Sequence, residues 1–119
     1  MTDRREAEAA GRRAEWLALM LLRLKGYRLV AQRFRCPQGE IDLIVRRGSV
    51  LVFVEVKRRA NQVAAAESIL PLQQSRIVAA AGVFLQRTPA LASLAQRFDA
   101  VLSSPNRWPR HIVDAFRPG

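Results

Sequence analysis

Apolar residues near the start of the chain recur at helical spacing. Ala10, Ala14, Leu17, Leu21 and Leu24 form one stripe, with Met20 alongside. Gly11, Ala18, Leu19 and Leu22 form a second stripe on nearly the opposite side, so the helix they predict should be largely enclosed. Asp3 or Thr2 is placed to cap it, it should run from about Arg4 to Lys25, and Gly26 should end it. Glu15 falls within the second stripe, where a carboxylate is unexpected.

The pattern then turns strand-like. Tyr27 to Phe34 reads as a first strand, Arg35 to Gly39 as a turn, and Glu40 to Arg46, which alternates, as a second strand. Arg47-Gly48 is a turn signal. Val50 to Lys57 is β-branched and nearly continuously apolar, a third strand. Arg58 to Leu70 reads as a loop with a short helix. Pro71 suits the first turn of a helix extending to about Arg87, which Thr88-Pro89 stops. Phe98 to Leu102 and His111 to Phe116 read as short strands on either side of a loop over Ser103 to Pro109. The order helix, three strands, helix, two strands predicts one α/β domain over residues 1–119: a sandwich whose central mixed sheet of about five strands is flanked by helices.

Composition narrows the chemistry. The chain of 119 residues has one cysteine, Cys36, and one histidine, His111. That excludes an internal disulfide, a multi-cysteine zinc site and a His-pair metal site. No apolar run approaches the roughly 20 residues that span a bilayer, and the charged N-terminal stretch holds no secretory apolar region, so a cytoplasmic protein is expected. Lys and Arg number 20 against 10 Asp and Glu, a net charge of +10. All but Lys25 and Lys57 of those cations are arginine, whose planar fork suits phosphate oxygens. The expected partner is nucleic acid, not a membrane.

The candidate chemistry sits in Gly39-Glu40-Ile41-Asp42-Leu43-Ile44 and Val54-Glu55-Val56-Lys57. A two-residue turn at Arg47-Gly48 would put Asp42 opposite Phe53 and Glu40 opposite Glu55. Asp42 and Glu55 would then be diagonal neighbours on one face, roughly 7–8 Å apart, close enough to converge on one ion. Lys57 would project from the same face, with Val50, Val52, Val54 and Val56 on the other. A slip by one residue would separate the two carboxylates. Carboxylate oxygens suit Mg²⁺ or Mn²⁺. The expected set is Asp42, Glu55 and the carbonyl of Val56, with Lys57 orienting a water or stabilising charge on the phosphoryl oxygens of a phosphodiester under hydrolysis. Glu15 either joins the ion, directly or through water, or forms a buried ion pair with an arginine. Gln74 either positions water or phosphate, or is an ordinary polar residue of a first helical turn. Asp99 reads as structural, His111 as structural or surface, and Cys36 as not activated.

GEIDLI followed by FVEVK resembles the PD-(D/E)xK nuclease signature. More closely, the chain resembles the YraN family of small bacterial proteins. The resemblance includes Gly11, Glu15, Gly26-Tyr27, Gln74, Arg76-Ile77, Arg97-Phe98-Asp99 and Ala115-Phe116. It implies a restriction-endonuclease-like core, similar to archaeal Holliday-junction resolvases. It implies a metal-dependent nuclease site at Asp42, Glu55 and Lys57, often joined by the acid matching Glu15. It also implies action on DNA, including branched DNA, and a two-fold homodimer. The family pattern has Lys-Gln opening the second long helix, where this chain has Gln73-Gln74, so one expected phosphate contact is missing. A non-catalytic nucleic-acid-binding protein on a nuclease scaffold is the alternative that explains the charge equally well.

Overall fold

The computed structural model describes residues 3–59 and 69–118. Helix α1 spans Arg4–Leu24, and the Asp3 carboxylate caps it by accepting the N–H of Glu6 at 2.8 Å. Thr2 lies outside the described residues. Only one flank of α1 is enclosed. Ala14, Ala18, Leu19 and Leu22 are buried, whereas Trp16 and Leu24 are 58% and 76% exposed. This corrects the expectation of a helix enclosed on both sides: the sheet covers the flank of Ala18 and Leu22, and the stripe through Ala10, Leu17 and Leu24 turns away from it.

Five strands follow: β1 Arg28–Cys36, β2 Gly39–Arg47, β3 Val50–Arg58, β4 Ala95–Ser103 and β5 Arg110–Phe116. They form one sheet in chain order, antiparallel throughout except for the parallel pair β3–β4. Helix α2, Pro71–Arg87, is part of the crossover between those two strands, the kind of connection that parallel neighbours require. The expected architecture, an α/β sandwich in the order α-β-β-β-α-β-β, is the one observed. The expected loop with a short helix falls mostly on 60–68, outside the described residues. No helix among the described residues is long and apolar enough to cross a membrane.

The helices cover opposite faces of the sheet. Leu43, Val45, Val52, Val54 and Val101 pack with Ala18, Leu19 and Leu22 of α1. Ile44, Leu51, Phe53, Phe98 and Ala100 pack with Ile77, Ala80, Ala81 and Phe84 of α2. Phe53 anchors the second layer, stacked on Phe98 at 5.4 Å and edge-on to Phe84 at 6.3 Å. β3 contributes to both layers, which explains its near-continuous apolar run.

Several expected boundaries move. β1 runs on to Cys36 and β2 begins at Gly39, so the turn expected over Arg35 to Gly39 shrinks to Pro37-Gln38, because Arg35 and Cys36 already pair with Glu40 and Gly39. β4 begins three residues earlier than its apolar core suggests, because Ala95, Gln96 and Arg97 already pair with Val50, Leu51 and Val52. The β2–β3 turn is Gly48-Ser49, not Arg47-Gly48: Arg47 pairs with Val50, and Gly48 takes φ +59. A two-residue hairpin needs a left-handed position, and glycine supplies it without steric cost. The register therefore shifts by two from that expected. An even shift keeps every side chain on its face, but it places Ile44, not Asp42, opposite Phe53.

Gly39 opens β2 directly beneath α2. A Cβ there would stand 2.5 Å from the carbonyl oxygen of Arg76. Gly39→Ala must therefore push the first turns of α2 off the sheet, at a cost of about 1–3 kcal/mol. A measurable fall in denaturation midpoint checks this, and an unchanged midpoint would contradict it.

Candidate active site

The β2–β3 ladder ends at the pair Leu43–Val54. Continuing that register by one residue sets Asp42 directly across from Glu55. The Asp42 carboxylate accepts the backbone N–H of Val56 at 2.8 Å, taking over a donor that a longer ladder would have paired with β2 backbone. Ile41 joins the α2-side core although Leu43 and Val45 pack beneath α1, so the regular alternation breaks where the ladder stops.

Glu55 is 9% exposed. Its Oε1 meets Lys57 Nζ at 3.2 Å and accepts from Gln73 Nε2 at 3.1 Å. Burial is the main reason that the Asp42 carboxyl is pushed up to about 7; the negative charge of Glu55 adds to it, and the Val56 N–H opposes it. Burial likewise raises the Glu55 carboxyl, against the pull of the Lys57 ammonium and the hydrogen bond to Asp42. Lys57→Met removes that pull, so the carboxyl pair should titrate at still higher pH. Carboxyl carbon shifts followed by NMR check the direction, and an unmoved or lowered titration would contradict it.

The pair looks into a cavity of about 460 Å³ between β2 and α2. Arg35, Glu40, Gln73 and Arg76 also line it. Arg35 is held by Glu40 at 3.2 Å, and Arg76 is exposed on the first turns of α2. The cavity thus has carboxylates inside and guanidinium groups at its rim.

The sequence-derived residues fall into two sets. Asp42, Glu55 and Lys57 come together, with the Val56 backbone between them. Glu15 does not line the cavity: its carboxylate pairs with Arg33 at 2.8 Å, although its charge still raises the Asp42 carboxyl. Arg33 reaches it from a left-handed backbone position, φ +52, inside β1. Gln74 also points elsewhere, donating to the carbonyl of Ile69 at 2.9 Å. Gln73 is the glutamine that meets Glu55. Its signal was helical spacing, since residues 73, 77, 80 and 84 share the face of α2 that packs on the sheet. Among the described residues no three of His, Cys, Asp and Glu converge as a ready-made metal cluster. The donor set at this cavity is two carboxylates and backbone.

A second polar cluster lies beneath the other face. Asp99 is wholly buried in β4. It accepts two hydrogen bonds from Arg97 at 2.8 Å, one from His111 Nε2 at 2.7 Å and one from the backbone N–H of Asp114 at 2.9 Å. Asp114 donates from a bulge in β5, with φ +57. Tyr27 OH accepts from Arg97, and Lys25 Nζ lies 2.5 Å from His111 Nδ1. The imidazole thus bridges Lys25 and Asp99 through its two ring nitrogens. Every oxygen lone pair of Asp99 that matters is used within the fold.

Residues 14–102 match the family described as Uncharacterised protein family UPF0102. The chain belongs to the UPF0102 family. A UPF0102 protein of Parvibaculum lavamentivorans is 59% identical over 108 residues, which cover 91% of this chain and 81% of that one. A UPF0102 protein of Maricaulis maris is 51% identical over 116 residues, 98% of this chain and 91% of the relative. One from Chelativorans is 48% identical over 114 residues, 96% and 92% of the two chains. The expected kinship with a family of small bacterial proteins is thereby borne out. The matched span of the UPF0102 family holds Glu15, Asp42, Glu55, Lys57 and Gln73 together with both helices' sheet-facing residues.

Proposed function

We propose that this UPF0102 protein is a metal-dependent endonuclease that hydrolyses phosphodiester bonds of DNA at the Asp42–Glu55–Lys57 cavity. One observation carries the reading: Asp42 and Glu55 face each other across β2 and β3 and line one cavity, with the Lys57 ammonium on Glu55. Such a pair accepts either a proton or a cation. The donors fit Mg²⁺ or Mn²⁺, which take carboxylate and carbonyl oxygens and keep several waters. Asp42, Glu55 and the carbonyl of Val56 would hold it. When bound, such an ion supplies Lewis-acid polarisation of a phosphate.

The chain's own groups do the rest. The Lys57 ammonium stands beside Glu55 and stabilises negative charge that develops on the phosphoryl oxygens. Gln73 orients Glu55 through its amide. Arg35 and Arg76 at the rim hold the strand on either side of the scissile phosphate, contacts that position without reading sequence. Glu15 acts on the site through its charge.

The test is cleavage of a panel of duplex, single-stranded, flap and four-way-junction DNA with Mg²⁺ or Mn²⁺ and with chelator. The reading expects metal-dependent cleavage of at least one member. Binding to DNA that is equally strong with chelator, and no cleavage of any member, would favour the alternative of a non-catalytic nucleic-acid-binding protein.

A further inference from the structure

The stripe of α1 that turns away from the sheet has a use. Ala10 and Leu17 of that stripe, with Ala14 at its buried edge, form an apolar floor for a groove of about 820 Å³ on the α1 side of the molecule. The loop between β4 and β5 makes its far wall, with Trp108 62% exposed. Arg13 projects from α1, Arg58 from the end of β3 and Arg107 from the loop. Four exposed arginines elsewhere pair with carboxylates, Arg4 with Glu8, Arg33 with Glu15, Arg35 with Glu40 and Arg117 with Asp114, whereas others, such as Arg12 and Arg23, pair with none among the described residues. Arg13, Arg58 and Arg107 pair with none among the described residues.

The hydroxyl of Ser104, in the same wall, is the one buried side-chain oxygen without a hydrogen-bond partner among the described residues. Buried polar atoms are almost always satisfied, so an orphan in the wall of a groove asks for a ligand atom. Three uncommitted guanidinium groups, a spare hydroxyl, an apolar floor and an exposed indole describe one kind of occupant. Phosphates suit the arginines, and a base with an exposed π-face suits the indole. A base inside a duplex offers no such face, so the occupant is unpaired.

The groove also lies where a substrate strand could enter it. Lys57 and Arg58 are consecutive on β3 and face opposite sides of the sheet, Lys57 in contact with Glu55 and Arg58 lining the groove. Both sites therefore open at the same end of β3. We propose that the groove binds an unpaired DNA strand, with phosphates on Arg13, Arg58 and Arg107 and a base stacked on Trp108. The choice of DNA rests on the nuclease reading. The groove narrows its substrate to DNA with a single-stranded stretch beside the scissile phosphate.

The chain has two tryptophans, so Trp16→Phe leaves Trp108 as the reporter. In that background, with Asp42→Asn added and chelator present, an oligothymidine of roughly 12 nucleotides is titrated at low salt. Saturable quenching of Trp108 fluorescence is expected. Trp108→Ala, read by anisotropy of labelled DNA, should weaken binding about tenfold. The triple variant Arg13→Ala/Arg58→Ala/Arg107→Ala should weaken it further and flatten the slope of log affinity against log salt by about 2. Fluorescence that does not move while the DNA binds, a salt slope unchanged in the triple variant, or equal quenching by a duplex of the same length would each overturn the groove. Tighter binding of oligouridine would overturn the assignment to DNA. The measurement needs neither metal nor turnover, so an inert carboxylate site would leave the groove standing, and cleavage without quenching would remove the groove alone.

Discussion

Asp42→Asn combined with Glu55→Gln should abolish cleavage, by at least about 10³-fold, while leaving a folded protein that still binds DNA. The same change should make the protein more stable at alkaline pH. The folded Asp42 carboxyl titrates at about 7, above its ordinary 3.8, because it is buried and faces Glu55. A group whose folded value is raised stabilises the fold fully below the unfolded value. That contribution is lost as pH rises from about 4 through about 7. For this coupled pair the loss is on the order of 2–4 kcal/mol. The double variant carries amides in place of both titrating groups, so its stability should stay flat across that window. Denaturant unfolding of both proteins at pH 5 and pH 8, with chelator, reads the difference. A wild type whose stability does not fall between those values would contradict the buried carboxyl pair itself, apart from any question of catalysis.

The largest loss of stability belongs to the other face of the sheet. Asp99→Ala should destabilise by about 3–5 kcal/mol, as removal of one partner from a buried charged pair does. It strands Arg97, His111 Nε2 and the bulged N–H of Asp114 together. Against a typical total of roughly 5–15 kcal/mol, the variant should melt more than about 10 °C lower. Its pH dependence has the opposite sign from that of the carboxyl pair. Burial alone would push the Asp99 carboxyl up, but the hydrogen bonds from His111, Arg97 and Asp114 outweigh it and hold it at about 2, below its ordinary 3.8. Its contribution is therefore present above about 3.8 and lost as pH falls towards 2. Thermal melts of wild type and Asp99→Ala at pH 7 and at pH 2 test both parts: the gap between them should be wide at the first and narrow at the second.

These two clusters differ in how far the sequence announced them. Asp42, Glu55 and Lys57 were legible because strand alternation fixes a face, and the face survives any even change of register. The direct opposition of Asp42 and Glu55 was not legible, since it depends on which two residues make the turn, and Arg47-Gly48 and Gly48-Ser49 read alike. Gln73 and Gln74 are adjacent and chemically identical. Only the helical phase against Ile77, Ala80 and Phe84 separates them: the resemblance drew attention to Gln74, which donates to the Ile69 carbonyl, while Gln73 meets Glu55. The sheet-facing flank of α1 was hidden by its two apolar stripes; Trp16 and Leu24 look like core residues and are exposed. The left-handed positions at Arg33 and Asp114 carry no signal at all, because both residues adopt a backbone conformation that costs them strain and is held by their surroundings. Yet these two positions aim one guanidinium at Glu15 and one N–H at Asp99. The layer order and the parallel β3–β4 pair, in contrast, follow from the long β-branched run of Val50 to Val56 and the helix after it.

Whether the facing carboxylates hold a divalent cation is read by calorimetric titration of Mn²⁺ at pH 7 in two buffers of different ionisation enthalpy. Binding to the wild type is expected, with release of up to about one proton, because the ion displaces the proton that the raised carboxyls of Asp42 and Glu55 retain. No binding to Asp42→Asn/Glu55→Gln is expected. Binding that survives in the double variant, or binding to the wild type with no proton released, would contradict a cation site there.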